Sequence, residues 1–263
     1  MDKTEKIKSL EVEILKHKNL YYQGKPEISD YEFDKLEEEL KNLDPKSPVL
    51  SFIGSSFFVG EKVEHASKML SLNKTYKLEE LERWMDTKEV VSTFKIDGSS
   101  CSLIYNSGKL TLAKTRGDGR FGEKITNKVL YIDHVPKSLE GYNKNFEIRG
   151  EIFCREKDFI HLSQEMEKLN LEKPTSQRNI VAGLLGRKEN IELARFLSFQ
   201  AFEFISNEES LHTEEDKFRH LRKLGFETPE YNKSKSRKEI EAQVEEAREF
   251  MSQGDYLIDG LVV

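Results

Sequence analysis

Cysteine is scarce in this chain: Cys101 and Cys154 are the two among 263 residues. Two thiols cannot build a disulfide framework. Neither a CxxC nor an HxxxH spacing occurs, so a protein-built zinc site is not expected. Long apolar runs are also missing, and none approaches the ~18 residues that cross a bilayer. The opening MDKTEKIKSL is too charged for a signal peptide. A basic excess is absent as well. The net charge of −6 excludes a protein that simply coats nucleic acid, while leaving room for a local basic groove. What is present is 37% hydrophobic and 10% aromatic residues, enough for a core beside 34% charged residues. The expectation is a soluble, globular, cytoplasmic protein with no membrane association.

The pattern of apolar residues changes along the chain. Residues 3–20 place Ile7, Leu10, Ile14 and Leu15 on one stripe among lysines and glutamates, which predicts an amphipathic helix. A second helix is predicted from Ser29, because Glu32 three residues later makes a capping box ahead of Phe33, Leu36 and Leu40. LYYQGKPEI lies between them, DPKSP closes the helical unit, and residues 50–72 read as extended and irregular. From about residue 90 the period becomes that of strands: VVSTFKI, SSCSLIY and KLTLAKT, with NSG as a hairpin turn. FEIRGEIFC puts Glu147, Arg149 and Glu151 on one face of a strand and Ile148, Gly150 and Ile152 on the other. Helices are predicted at about 156–169, 178–185, 213–224 and 236–252. Further strands are predicted at 196–204 and in YLIDGLVV. The fold class is α+β: a small helical module over residues 1–68, then a mixed domain of antiparallel sheet and flanking helices over 69–263.

TFKIDGSS, residues 93–100, raises the first chemical question. A lysine seldom sits inside an apolar strand without a task for its amine. The bland reading of Lys95 is an edge-strand lysine reaching water. The functional reading is a nucleophile, buried beside other cations so that the neutral amine is favoured. TRGDGRFGE, 115–123, supports the second. It packs Arg116 and Arg120 among three glycines, so backbone and cations can both approach a phosphate. Glu151 can accept from ribose hydroxyls, and Phe202 can stack on a base. Together these ingredients describe nucleotidyl transfer onto a lysine.

The ordered set resembles the NAD-dependent DNA ligases from about residue 15 to the end. TFKIDG looks like their nucleotidyltransferase motif, which implies that Lys95 becomes adenylylated with Asp97 beside it. TRGDGRFGEKIT is similar to the next loop motif, placing Arg116 at ribose and phosphates. EIRGEIF resembles the strand whose glutamate, here Glu151, holds the ribose. MLSLNKTY points to Ser71 and Leu72 on the adenine side. SQRNIVAGLL implies Arg178 and Asn179, and Phe202 falls at the adenine-stacking aromatic. YLIDGLVV, with Asp259, is similar to the IDGVVIK motif. YYQGKPEISDYEFDKLEEEL resembles the helical module that grips the nicotinamide mononucleotide (NMN) half of NAD. On that pattern Tyr21, Tyr22, Asp30, Phe33 and Asp34 face NMN, although Phe33 also reads as a core residue. The resemblance implies NAD and Mg²⁺, with nicked double-stranded DNA as the partner of the complete enzyme.

The pattern breaks in places. Thr93 stands where the family has a glutamate contacting adenine, Tyr22 replaces a histidine, and Phe33 replaces a tyrosine. The second arginine of the arginine–asparagine segment aligns with Gly186, one residue before Arg187. The chain stops one residue short of the lysine that follows IDGVVI in the family. A divided enzyme, with a second polypeptide supplying the remaining motifs and the DNA-clamping domains, is the expectation, and a virus-encoded protein fits it. A fragment of a longer chain, a nucleotidyltransferase with another acceptor, and a degenerate NAD-binding scaffold are the alternatives.

Overall fold

The computed structural model describes residues 3–22, 27–51 and 61–263. The chain packs as two units. One carries the residues up to Met69 together with Arg116–Glu123, and the other holds Leu70–Thr115 and Lys124–Val263.

In the first unit, α1 (Lys3–Tyr22), α2 (Asp30–Leu43) and α3 (Pro48–Ser51) pack around Leu10, Ile14, Leu40 and Val49. The predicted stripe of α1 thus faces the core, with Ile7 and Leu15 at its margin. The capping box forms as read: the Ser29 hydroxyl accepts from the Glu32 amide, and the Glu32 carboxylate accepts from the Ser29 amide at 2.9 Å. The helix α1 runs two residues past its predicted end, through the Tyr21–Tyr22 pair. DPKSP does not end the helical unit, because Pro48 starts the short α3, a position where its missing N–H costs nothing. The segment read as irregular also contains β1 (Lys62–Glu64).

In chain order the remaining strands are β2 (Val90–Ile96), β3 (Ser99–Asn106), β4 (Lys109–Thr115), β5 (Phe121–Glu123), β6 (Phe146–Phe153), β7 (Ser198–Ile205), β8 (Tyr231–Ser234) and β9 (Ile258–Val262). β1 and β5 pair antiparallel within the first unit. The second unit holds two sheets among its described residues, β8-β2-β9 and β4-β3-β6-β7, both antiparallel. Its helices are α4 (Leu78–Met85), α5 (Thr126–Val129), α6 (Glu156–Lys168), α7 (Gln177–Gly186), α8 (Glu214–Lys223) and α9 (Arg237–Gln253).

The four-stranded sheet buries one face against α5 to α8. Cys101, Leu103, Tyr105, Ile148, Ile152 and Phe199 meet Val129, Leu162, Met166, Leu184, Phe218 and Leu221 there. Period-2 alternation leaves Ser100, Ser102, Glu147, Arg149, Glu151 and Gln200 on the opposite face, in paired register. The three-stranded sheet packs on α4 and α9 through Met85, Val90, Ile240, Val244 and Val263. Gln243 of α9 fastens that sheet, accepting from Ser92 Oγ of β2 and donating to Ser234 Oγ of β8 at 2.7 Å. Helix α4 and strand β8 were not read from the sequence: α4 spans only two turns, and β8 is short and polar.

Candidate active site

Lys95 lies near the end of β2, the central strand of its sheet, directly opposite Gly260 of β9. Its Nζ donates to both carboxylate oxygens of Asp259, at 2.9 and 2.6 Å. The lysine side chain is 42% exposed. The expectation of an amine buried among cations is therefore corrected: the amine is open to solvent and its neighbour is a carboxylate. A register irregularity between Lys95 and Ile96 accompanies this pairing. Thr93, two residues earlier on the same face, is half-buried opposite Val262 and Tyr231.

Asp97 and Gly98 form the corner between β2 and β3. The Asp97 amide donates to the Leu257 carbonyl at 2.9 Å, which ties the corner to the entry of β9. Gly98 is required by close approach, since a Cβ there would stand 2.2 Å from the Ile152 carbonyl oxygen. The Asp97 carboxylate takes the guanidinium of Arg178, Nε to Oδ1 3.1 Å, with both side chains largely buried. Arg178 stands in the first turn of α7, whose start is fixed by Ser176 capping the Asn179 amide at 3.2 Å.

Across the corner, Glu151 sits opposite Ser100 of β3 and Gln200 of β7. The Ser100 hydroxyl donates to the Glu151 carboxylate at 2.5 Å. Ser100 was missed in the sequence, although its alternation with Ser102 about the buried Cys101 marks the polar face. Phe202 is the unpaired residue of a bulge, because Arg149 pairs with Glu203 while Gly150 pairs with Ala201. A bulge re-aims a side chain, and Phe202 is left 36% exposed. Ser71 and Leu72 are exposed just after the buried Met69.

The other expected residues belong to the first unit. Arg116 opens a tight loop in which Asp118 Oδ1 accepts from the amides of Arg120 and Phe121, at 2.9 and 2.6 Å. Gly117 and Gly119 adopt positive φ, 56° and 85°, which this turn needs. The Arg116 carbonyl lies 3.2 Å from Nε2 of His65. Phe33 packs at the edge of the helical core, with the Lys18 amine 5.9 Å from its ring centre, and Asp34 is half-buried. The side chains of Tyr21, Tyr22 and Asp30 lie outside the described residues. Among those described, no group of three or more His, Cys, Asp or Glu is placed to hold a metal ion. None of the described helices is long and apolar enough to cross a membrane.

The family described as NAD-dependent DNA ligase adenylation domain matches residues 57–263. The family described as DNA ligase-like, N-terminal NAD+-binding domain matches residues 1–55. Among curated proteins, the DNA ligase of Brachyspira hyodysenteriae is 34% identical over 98% of this chain and 42% of its own length. The DNA ligases of Corynebacterium jeikeium and Acetivibrio thermocellus are each 33% identical. They cover 94% and 100% of this chain, and 39% and 43% of their own lengths. The chain thus spans about two-fifths of the relatives it matches.

Proposed function

This chain belongs to the NAD-dependent DNA ligase family through its adenylation domain, and on that premise we propose that Lys95 takes AMP from NAD. The observation that carries the proposal is an exposed lysine amine near the end of a central strand, held at both oxygens by Asp259. In the transfer, Lys95 Nζ forms a bond to the α-phosphorus of the adenylyl half. The bond from that phosphorus to the bridging oxygen breaks, and NMN leaves with the oxygen. The amine must lose a proton on the way, and the Asp259 carboxylate is the acceptor already in contact with it.

The residue set suits a dinucleotide. Glu151, oriented by Ser100, offers acceptor oxygens to ribose hydroxyls. The exposed ring of Phe202 offers a face for stacking, with Ser71, Leu72 and Thr93 also on the adenine side. Arg116 and Arg178 offer guanidinium groups for phosphate or ribose, Arg178 being oriented by Asp97. Tyr21, Tyr22, Asp30, Phe33 and Asp34 are assigned to NMN. Mg²⁺ would neutralise phosphate charge and be held mainly through phosphate oxygens, the usual mode for this ion.

Sealing of nicked DNA is proposed for the complete ligase only. There the remaining motifs are either continuous with this chain or brought by a second polypeptide.

The test is the intact mass of the chain after incubation with NAD and Mg²⁺, beside Lys95→Ala. A gain of one AMP, absent in the variant, is the expected result. NAD binding with no mass gain, in this chain and with the remaining ligase segment added in trans, would replace the proposal with a non-catalytic scaffold.

A further inference from the structure

Two carboxylates assigned to the proposed chemistry stand on different sheets, Asp259 on β9 and Glu151 on β6. Besides the β2–β3 corner, one side chain contacts the segments that leave β6 and enter β9. Arg155 follows Glu151 by four residues at the exit of β6, and Asp255 precedes Asp259 by four at the entry of β9. The Arg155 guanidinium joins these two points, Nη1 to Asp255 Oδ2 3.1 Å, and its other arm meets Glu227. Its plane also lies over two rings, 5.2 Å from Phe153 and 5.6 Å from Tyr256.

Backbone contacts close the clamp. The Asp255 carbonyl accepts from the Glu156 amide at 2.5 Å and from Gln177 Nε2 at 3.3 Å. Gln177 Nε2 also reaches the Cys154 carbonyl at 3.2 Å. From there a run of rings leads back to the strand of the nucleophile: Phe153 to Tyr256 at 5.1 Å, Tyr256 to Phe250 at 4.9 Å, and Phe250 to Phe94 at 4.8 Å. Phe94 is the neighbour of Lys95. Gly254 is needed beneath this run, since a Cβ there would stand 2.3 Å from the Phe250 ring.

We propose that Arg155 is a positioning residue, which through Asp255 sets β9 and the Lys95–Asp259 pair against the strand carrying Glu151. The inference rests on the adenylylation reading. Only a planar fork can serve both carboxylates while lying over both rings, so lysine is not an equivalent. Reacting groups misplaced by about 1 Å can cost on the order of a hundredfold in rate.

The test compares the wild-type chain with Arg155→Lys and Asp255→Asn by two measurements. The first is hydrogen exchange at the amides of Glu156 and Asp97, which donate to the Asp255 and Leu257 carbonyls, with β3 amides as the reference. Both variants are expected to exchange at least about tenfold faster at those amides, with β3 unchanged. The second is the single-turnover rate of AMP loading at saturating NAD, expected to fall at least about tenfold with little change in the half-saturating NAD concentration. The double variant should lose little more than Arg155→Lys alone, because the Asp255 contact is already gone once the guanidinium is removed.

Unchanged exchange would overturn the clamp. Faster exchange with a normal loading rate would overturn its positioning role. A wild-type chain that takes no AMP, alone or with the remaining ligase segment in trans, would overturn the adenylylation reading. The role in transfer would fall with it, and the exchange arm would still decide whether the clamp exists.

Discussion

Lys95 and Asp259 are 164 residues apart in sequence, yet the amine of one contacts both carboxylate oxygens of the other across adjacent antiparallel strands. With the lysine 42% and the aspartate 27% exposed, water screens the pair, so its contribution to stability is small, about 0–1 kcal/mol. On the adenylylation proposal, its value lies in where it holds the amine and in the acceptor it places there. Asp259→Asn is therefore expected to leave the melting temperature nearly unchanged and to slow AMP loading by about a hundredfold, the usual reach of a positioned proton acceptor. Parallel thermal melts and loading time courses check it. Equal losses of stability and rate would assign Asp259 a structural role instead.

Gly150 and Gly183 should respond in opposite directions to alanine. A Cβ on Gly150 would stand 2.3 Å from the Phe199 ring and 2.4 Å from the Gln200 carbonyl oxygen. The strand must shift, and overpacking of this kind costs about 1–3 kcal/mol. Gly183 lies inside α7 with nothing within 4 Å of the added atom. Gly183→Ala should stabilise by about 0.5–1 kcal/mol, through helix propensity. Denaturant midpoints of the two variants test the difference, and a destabilised Gly183→Ala would contradict it.

These contrasts mark how much was legible in advance. The alternation in FEIRGEIFC exposed which face of β6 is polar, and the NSG turn exposed the β3–β4 hairpin, because both signals are local. Lys95 stood out as a charged group inside an apolar run and Glu151 as part of a polar strand face, whereas Asp97 came with the motif that the chain resembles. The partners of those groups did not. Asp97 meets Arg178 and Lys95 meets Asp259 only through tertiary packing, which no spacing encodes. The bulge that frees Phe202 depends on strand pairing, and the Arg155 clamp joins the exit of β6, the approach to β9 and the loop between α8 and β8. The burial expected for Lys95 failed because the strand ends at an open corner.

The polar face of the four-stranded sheet carries a buried ion pair. Arg149 Nε meets Glu147 Oε1 at 2.7 Å, and Ser102 Oγ donates to the same oxygen at 2.8 Å. Lys114 is nearly inaccessible nearby. Burial holds its amine below the ordinary lysine range, with Glu147 opposing that effect and Arg149 reinforcing it. Arg149→Leu removes one member and leaves Glu147 buried, which costs about 3–5 kcal/mol in such settings. The neighbouring Lys114 should bring the loss to the lower end. Glu147→Gln combined with Arg149→Leu should cost less than the two single losses added, as measured by urea unfolding.

The pH dependence of stability should trace to His220. Its ring sits 4.5 Å from that of Phe204 and 6.4 Å from that of Tyr142, and Nε2 is 3.6 Å from Glu209 Oε2. Burial pulls this histidine below its ordinary value of 6.5. Glu209 pulls the other way, and Lys223 and Lys144 side with burial. The unfolded chain then binds more protons at this site than the folded one. Stability is complete above about pH 6.5 and declines as pH falls below it. Glu209 is itself held below the usual carboxylate range, first by the Tyr142 hydroxyl and then by Lys144 and His220. Its contribution is lost only as pH falls below about 4.5, outside the histidine window. Denaturant midpoints taken from about pH 7.5 to about pH 5.5 should fall for the wild-type chain and flatten in His220→Gln. An unchanged slope in the variant would assign the loss to other groups.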